Sequence, residues 1–445
     1  MFGTYWVMLG CINMISRIAL LISHQRMKTA VSQWGYVDDN GRLVLPDHLA
    51  QRYGLKPGAR FVLSEDQNAL RLNRSPFQLS RIYLEVTNQC NLSCAMCIRR
   101  TWHEPVGFMS EEVFRRLEVD LQDLEPRPSV CISGLGEPLF HPNIVDWVWR
   151  LKQMGVSVEI ITNGTLLTRE RSKTLIEAGL DQLWLSLDAV DPEQYRAIRQ
   201  GAILEQVIEN LQTFKALRPP SHKPKPQIGI VFVAMRSNLH ELSRVVELGR
   251  KLGAVQFIVS NVYPYSEEMD KERLYVHSPK SITYFKSPWL PTLRFPKMDL
   301  EISEETHRAL HLAFSGLWNL EFGGINLSQT CDRCPFVERG SVVIGWDGQV
   351  SPCIVLLRSH TTYLHGKPRQ VRAYQVGFLD RQSLQEIWRA QDFVAFRERV
   401  QAFNFSPCTF CGGCDLSETN EEDCLRNTFP TCGGCYWAQG LIQCP

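Results

Sequence analysis

Three cysteines stand within eight residues in the stretch Cys90-Asn-Leu-Ser-Cys94-Ala-Met-Cys97. A short loop can wrap three thiolates around one metal centre, and thiolates are the usual protein ligands of iron–sulfur clusters. A 4Fe–4S cluster ordinarily takes four cysteines, so a set of three leaves one iron open to a small molecule. The same spacing also suits a zinc knuckle completed by a distant fourth ligand. Ten more cysteines come late in the chain: Cys331, Cys334, Cys353, Cys408, Cys411, Cys414, Cys424, Cys432, Cys435 and Cys444. Disulfide frameworks belong to small secreted domains, so in a chain of 445 residues these cysteines read as reduced metal ligands in a cytoplasm. Any single Cys-x-x-Cys pair among them would equally serve a zinc ribbon. Cys131, inside an apolar run, reads as a small buried residue.

The elements that must position the first three cysteines alternate in type. Strand-like runs are Arg81–Val86, Val130–Ser133, Ser157–Thr162, Gln182–Leu187, Ile228–Ala234 and Val255–Ser260. Helical patterns lie between them at Ser110–Leu121, Ile144–Met154, Arg169–Ala178, Leu204–Leu217 and Leu239–Leu252. Such alternation predicts an α/β architecture with a parallel sheet, whose chemistry gathers at the carboxyl ends of the strands. The second strand runs into Ser133-Gly-Leu-Gly-Glu-Pro138, where glycines let backbone approach a ligand closely. The third ends in Thr162-Asn-Gly-Thr165 and the fourth in Leu185-Ser-Leu-Asp188.

These motifs, in this order behind Cys90, Cys94 and Cys97, resemble the radical S-adenosylmethionine (SAM) enzymes. The resemblance implies a partial (βα)6 barrel and a 4Fe–4S cluster whose open iron chelates the amino and carboxylate groups of SAM. Reductive cleavage there gives a 5′-deoxyadenosyl radical that takes hydrogen from a substrate. Gly134, Gly136, Glu137, Asn163, Ser186 and Asp188 would line the SAM pocket. Met96 stands where the family usually has an aromatic residue and would pack near the adenine. Tyr195-Arg-Ala-Ile-Arg199 repeats a sequence often seen after the fourth strand.

Cys334, Gly348 and Cys353, with the helical Ser383-Leu-Gln-Glu-Ile-Trp388, resemble the SPASM extension of radical SAM maturases. Two auxiliary 4Fe–4S clusters are then implied, needing eight thiolates where ten are present. Beyond Cys411 the spacing departs from the common SPASM pattern, so the sequence leaves open which cysteines serve which cluster. The closing stretch from Asn420 through Cys432-Gly-Gly-Cys435 to Cys444-Pro445 looks like the maturases associated with tungsten-containing oxidoreductases. That likeness implies a protein, peptide or pterin-cofactor substrate, a tungsten oxidoreductase partner, and an electron donor such as ferredoxin or flavodoxin. A peptide modifier forming thioether or carbon–carbon cross-links is the alternative enzyme. An iron–sulfur redox sensor that binds DNA is the alternative outside catalysis.

Lys and Arg number 48 against 47 Asp and Glu, so no gross charge points to nucleic acid or anionic lipid. Residues 27–75 resemble the AbrB-type swapped-hairpin domain through Gly41-Arg-Leu-Val-Leu-Pro46 and Gly54-Leu-Lys-Pro-Gly58. This module implies a homodimer or a docking role, and its mixed charges do not favour DNA. Residues 1–26 form an apolar stretch interrupted by Asn13, Ser16 and Arg17, too broken for a membrane span. It reads as a mis-assigned start ahead of Met27, with an amphipathic anchor as the alternative. Residues 80–262 form the barrel, 263–330 a connecting segment over its mouth, and 331–445 the iron–sulfur extension. Spacing names no catalytic acid, base or radical-quenching side chain; Tyr263, Tyr265 and the spare cysteines are the candidates.

Overall fold

The computed structural model describes residues 35–46, 61–66, 69–74, 78–102, 104–222, 224–274, 292–295, 319–322, 325–326, 334–364, 366–406, 408–409 and 414–444. The chain divides into two compact units, residues 1–72 and 73–445. In the first, β1 (Tyr36–Val37) pairs antiparallel with β2 (Leu43–Val44). Asp38 closes the turn between them, its Oδ1 accepting from the backbone of Asn40 and Arg42 at 3.0 and 2.8 Å. A second two-stranded sheet joins β3 (Phe61–Asp66) and β4 (Ala69–Arg74). The leader 1–26 and residues 47–60 of the AbrB-like stretch lie outside the described residues.

The second unit is built on parallel strands β5 (Arg81–Leu84), β6 (Ser129–Ile132), β7 (Val158–Thr162), β8 (Gln182–Ser186), β9 (Gln227–Ala234) and β10 (Ala254–Asn261). They lie side by side in chain order, so every crossover advances by one strand in the same sense. Residues 82–84, 130–132 and 182–185 are buried without alternation, as expected of parallel strands covered on both faces. Each intervening helix turns an apolar stripe inward. In α1 (Glu111–Gln122) the stripe is Phe114, Leu117 and Leu121, and Ser110 caps its start by accepting from Val113 N. The others are α2 (Ile144–Gln153), α3 (Arg169–Glu177), α4 (Pro192–Ile198), α5 (Leu204–Leu217) and α6 (Leu242–Lys251). Helix α4 is too short to show a clear periodicity. Its signal was Asp191, which caps Glu193 and Gln194, followed by Pro192 at the first turn.

The sheet does not stop at β5. Strand β14 (Ser341–Ile344) adds parallel to β5, and β15 (Gln349–Ser351) and β18 (Gly377–Phe378) follow antiparallel, making one nine-stranded sheet. The cysteine-rich extension is thus welded to the barrel edge rather than hung from it. A tight Asp347-Gly348 turn joins β14 to β15, with Gly348 at φ +81°. In the chain between β10 and β14, β11 (Thr292–Phe295), β12 (Asn319–Phe322) and β13 (Ile325–Asn326) form a small separate sheet. A separate hairpin joins β16 (His360–Leu364) to β17 (Lys367–Val371). Two helices follow β18 in the chain, α7 (Leu384–Arg389) behind a Ser383–Glu386 capping box and α8 (Gln391–Ala402). Among the described residues no helix is long and apolar enough to cross a membrane.

Candidate functional site

Strand β5 delivers the chain to the cysteine loop at its carboxyl end. The loop is stapled to α4 and the residues after it: Ala95 N donates to Ile198 O at 2.8 Å and Ser93 N to Gln200 O at 3.0 Å. It is stapled again to the glycine motif, where Glu137 N donates to Gln89 O at 2.8 Å. Gly136 sits in that contact. A Cβ there would stand 2.3 Å from Thr87 O and 2.5 Å from Gln89 O, so only glycine lets the two loops close. Gly134 is fixed for two reasons, a φ of +136° and the Glu85 side chain 2.7 Å from where its Cβ would be.

Cys90, Cys94 and Cys97 are half-buried and free. Burial pushes the Cys90 thiol up to about 11, although Leu92 N donates to its sulfur at 3.4 Å. Asn163 Nδ2 lies 3.8 Å from the same sulfur. Burial also raises Cys97, with Cys94 adding to the shift and Arg199 opposing it. The three sulfurs therefore share one environment, furnished with N–H donors and a buried guanidinium, both of which favour thiolate. That donor set fits an iron–sulfur cluster. Among the described residues no group of three His, Cys, Asp or Glu could hold a single metal ion, which a cluster does not require, because each thiolate binds a different iron.

The remaining expected pocket residues divide. Ser186 and Met96 are half-buried at the site end of the barrel, with Met96 packed against the core. Asn163 uses its Oδ1 on Thr165 N and Oγ1 at 2.9 and 2.7 Å. Glu137 and Asp188 are buried with their carboxylates already engaged. Glu137 accepts from Thr162 Oγ1 at 2.7 Å, Asn163 N at 2.8 Å and Leu139 N at 3.0 Å, tying the second strand end to the third. Asp188 accepts from Arg199 Nε at 2.6 Å and from Val233 N at 2.7 Å. Both act from behind the site, holding its loops. Arg199 and the fully buried Glu85, whose Oε1 accepts from Leu135 N at 3.0 Å, escaped sequence reasoning. The only signal for Arg199 was its place in Tyr195–Arg199.

In the extension, Cys334, Cys353, Cys432 and Cys435 line one cavity of about 40 Å³ together with Tyr263, Arg369 and Tyr436. Burial pushes Cys334 up to about 12 and Cys353 and Cys432 well above the ordinary thiol value, each of these shifts increased by neighbouring thiols. Four free thiols on one enclosed space match the four-cysteine ligation of a complete cluster. Cys444 stands elsewhere, its sulfur 3.2 Å from Trp437 Nε1. Cys408, Cys414 and Cys424 belong to another part of the tail, where Cys424 Sγ lies 3.0 Å from Ser406 Oγ. Cys331 and Cys411 lie outside the described residues. Cys131 is fully buried, as expected of a packing residue.

Residues 84–248 match the radical SAM superfamily, and residues 331–415 match the SPASM iron–sulfur cluster-binding domain. The barrel is thus a radical SAM domain, followed by a SPASM domain. As a radical SAM enzyme with a SPASM extension, the chain uses iron–sulfur clusters and SAM as cofactors. A tungsten-containing aldehyde ferredoxin oxidoreductase cofactor-modifying protein of Pyrococcus furiosus is 29% identical over 82% of this chain and 96% of its own length. A GTP 3′,8-cyclase of Limosilactobacillus fermentum is 34% identical over 34% of this chain and 45% of the cyclase. Among solved structures, Streptococcus suis SuiB bound to S-adenosylmethionine is similar at 16% identity and a TM-score of 0.49, over 89% of this chain and 82% of SuiB.

Proposed function

We propose that this radical SAM enzyme acts in the maturation of a tungsten-containing oxidoreductase or of its cofactor. The observation that carries the reading is the likeness to the Pyrococcus furiosus cofactor-modifying protein, which runs through barrel and tail alike rather than through the barrel alone. The substrate is then a protein, peptide or pterin-type group. An electron donor such as a ferredoxin or flavodoxin would supply the reducing equivalent in a cytoplasmic setting, and the front module would serve docking or dimerisation.

Cys90, Cys94 and Cys97 would hold the initiating cluster, and Gly134, Gly136, Met96, Asn163 and Ser186 would border the SAM pocket. When bound, the cluster and SAM together supply one-electron reduction and a carbon radical that takes hydrogen from the substrate. The chain's own contribution is positioning and exclusion. The N–H of Leu92 and the amide of Asn163 face the Cys90 sulfur, and hydrogen bonds to cluster sulfurs are one lever on its potential. The Asp188–Arg199 pair, at 2.5 Å, anchors a cation near Cys97. Thr162, Asn163 and Leu139 lock Glu137, so the strand ends keep their spacing while ligands come and go. Half-buried Tyr263 and Tyr265, with ring centroids 4.6 Å apart, follow the last barrel strand.

The test is to remove the gene from a host that makes a tungsten oxidoreductase, then measure oxidoreductase activity and the mass of the extracted cofactor. Loss of activity with an altered cofactor mass, restored by the wild-type gene and not by Cys94→Ala, is expected. Full activity with unchanged cofactor would overturn the assignment.

A further inference from the structure

Resting on the reading of the tail as an iron–sulfur domain, one buried charge has no counter-charge among the described residues. Arg369, in β17, is 3% exposed. The buried Arg199 and Arg397 and the half-buried Arg81 and Arg358 are compensated. Arg81 holds Glu159 at 2.8 Å, Arg199 holds Asp188 at 2.5 Å and Arg358 holds Asp347 at 2.6 Å. Arg397 is sandwiched by the rings of Trp388 and Phe393 at 3.8 and 4.2 Å. Among the described residues, Arg369 has neither a carboxylate within ion-pair distance nor an aromatic face. An uncompensated buried cation is strongly unfavourable, so the fold anticipates a negative charge beside it.

The surroundings of the guanidinium show where that charge would sit. Arg369 lines the cavity formed by Cys334, Cys353, Cys432 and Cys435. Its guanidinium lies against the Cys432-Gly-Gly-Cys435 loop so closely that a Cβ on Gly434 would stand 2.7 Å from Cζ. Its Nη1 also donates to the carbonyl of Ser417. Ser417 belongs to the turn that begins at Cys414, and its hydroxyl donates to Cys414 O at 2.6 Å. One guanidinium thus touches the loop of the first thiol set and the turn of the second. Gly434 is needed for that approach, which gives a physical reason for a glycine there.

We propose that Arg369 is a counter-ion shared by the two auxiliary cluster sites, neutralising their thiolates and setting their reduction potentials. A fixed positive charge stabilises the reduced, more negative state of a cluster and so raises its potential. Serving two sites, it shifts both in the same direction. It is a positioning and tuning residue, with no contact to substrate required.

The test uses the full chain with Cys90, Cys94 and Cys97 replaced by alanine, so that iron is confined to the tail. Arg369→Met and Arg369→Lys are made in this background, reconstituted anaerobically, assayed for iron and sulfide, and titrated by EPR. Arg369→Met is expected to disfavour reduction about tenfold, a shift of 59 mV downward for one electron, with Arg369→Lys recovering most of it. Iron loss in Arg369→Met that Arg369→Lys restores also supports the counter-ion. Full iron with unchanged potentials in Arg369→Met overturns it. Equal iron loss in both variants, with circular dichroism intact, overturns it too, because the charge is then immaterial. If the parent takes up no iron in the tail, the iron–sulfur reading itself falls, and the inference with it.

Discussion

Adding one methyl group at Gly136 probes the closure of the active site directly. In Gly136→Ala the new Cβ meets Thr87 O at 2.3 Å, Gln89 O at 2.5 Å and the Asn88 carbonyl carbon at 2.8 Å. All three are backbone atoms, so no side chain can swing aside. Ordinary contact would require the two carbonyls to withdraw by roughly 1 Å. Overpacking of this kind costs about 1–3 kcal/mol. The displaced segment leads straight into Cys90, and a 1 Å misplacement at a reacting centre costs about 100-fold in rate. The assay is 5′-deoxyadenosine formation by anaerobically reconstituted protein, run beside a thermal melt. Gly155→Ala is the control: its φ is +76° but nothing lies within 4 Å of the added methyl. It bears only the left-handed backbone cost of about 1–2 kcal/mol. Both variants should melt lower, while only Gly136→Ala should lose SAM cleavage. A wild-type rate in Gly136→Ala would refute the claim that this glycine sets the loop spacing.

The other predictions concern charge and ligand assignment. Asp188→Asn leaves the Arg199 guanidinium buried without its partner and should lower unfolding free energy by about 3–5 kcal/mol, read from the denaturant midpoint; a loss under about 1 kcal/mol would mean the pair is solvated. Burial alone would raise the Asp181 carboxyl, but hydrogen bonds from Lys152 and Lys225 at 2.6 and 2.8 Å outweigh it and hold the group below its ordinary value. Its contribution is therefore present above the unfolded carboxylate value near 4 and fades as pH falls below it, so Asp181→Asn should flatten that acid limb of a stability–pH curve. A limb of unchanged steepness would remove Asp181 as its source. Cys353→Ser should cost about four irons per chain, whereas Cys444→Ser, outside the four-thiol cavity, should keep them. The reverse pattern would reassign the ligands.

Much of the barrel was legible because most of its strands and helices announce themselves locally. Val130–Ser133 and Gln182–Leu187 are short apolar runs, and Phe114, Leu117 and Leu121 recur at helical spacing. What could not be read depends on contacts between distant residues. The pairing of Ser341–Ile344 with Arg81–Leu84 joins segments about 260 positions apart, and no periodicity encodes such a partner. For the same reason the ten late cysteines gave a ligand count but no sets, until folding brought Cys334 and Cys353 against Cys432 and Cys435. Motif residues were found where chemistry restricts the residue type, as at Gly134 and Gly136. Glu137 and Asp188 were found too, but their spacing could not reveal that their carboxylates are engaged in holding loops. Arginines such as Arg199 and Arg369 look like surface residues in a sequence, and only burial exposes their roles.

This chain is predicted to carry one initiating cluster and two auxiliary clusters in a SAM-cleaving enzyme. The most direct measurement counts iron and sulfide in anaerobically reconstituted protein, then assays 5′-deoxyadenosine after addition of SAM and a reductant. About twelve irons per chain, with deoxyadenosine formed by the wild type and abolished in Cys94→Ala, is the predicted result. About four irons per chain, zinc in their place, or deoxyadenosine formation surviving in Cys94→Ala would contradict it.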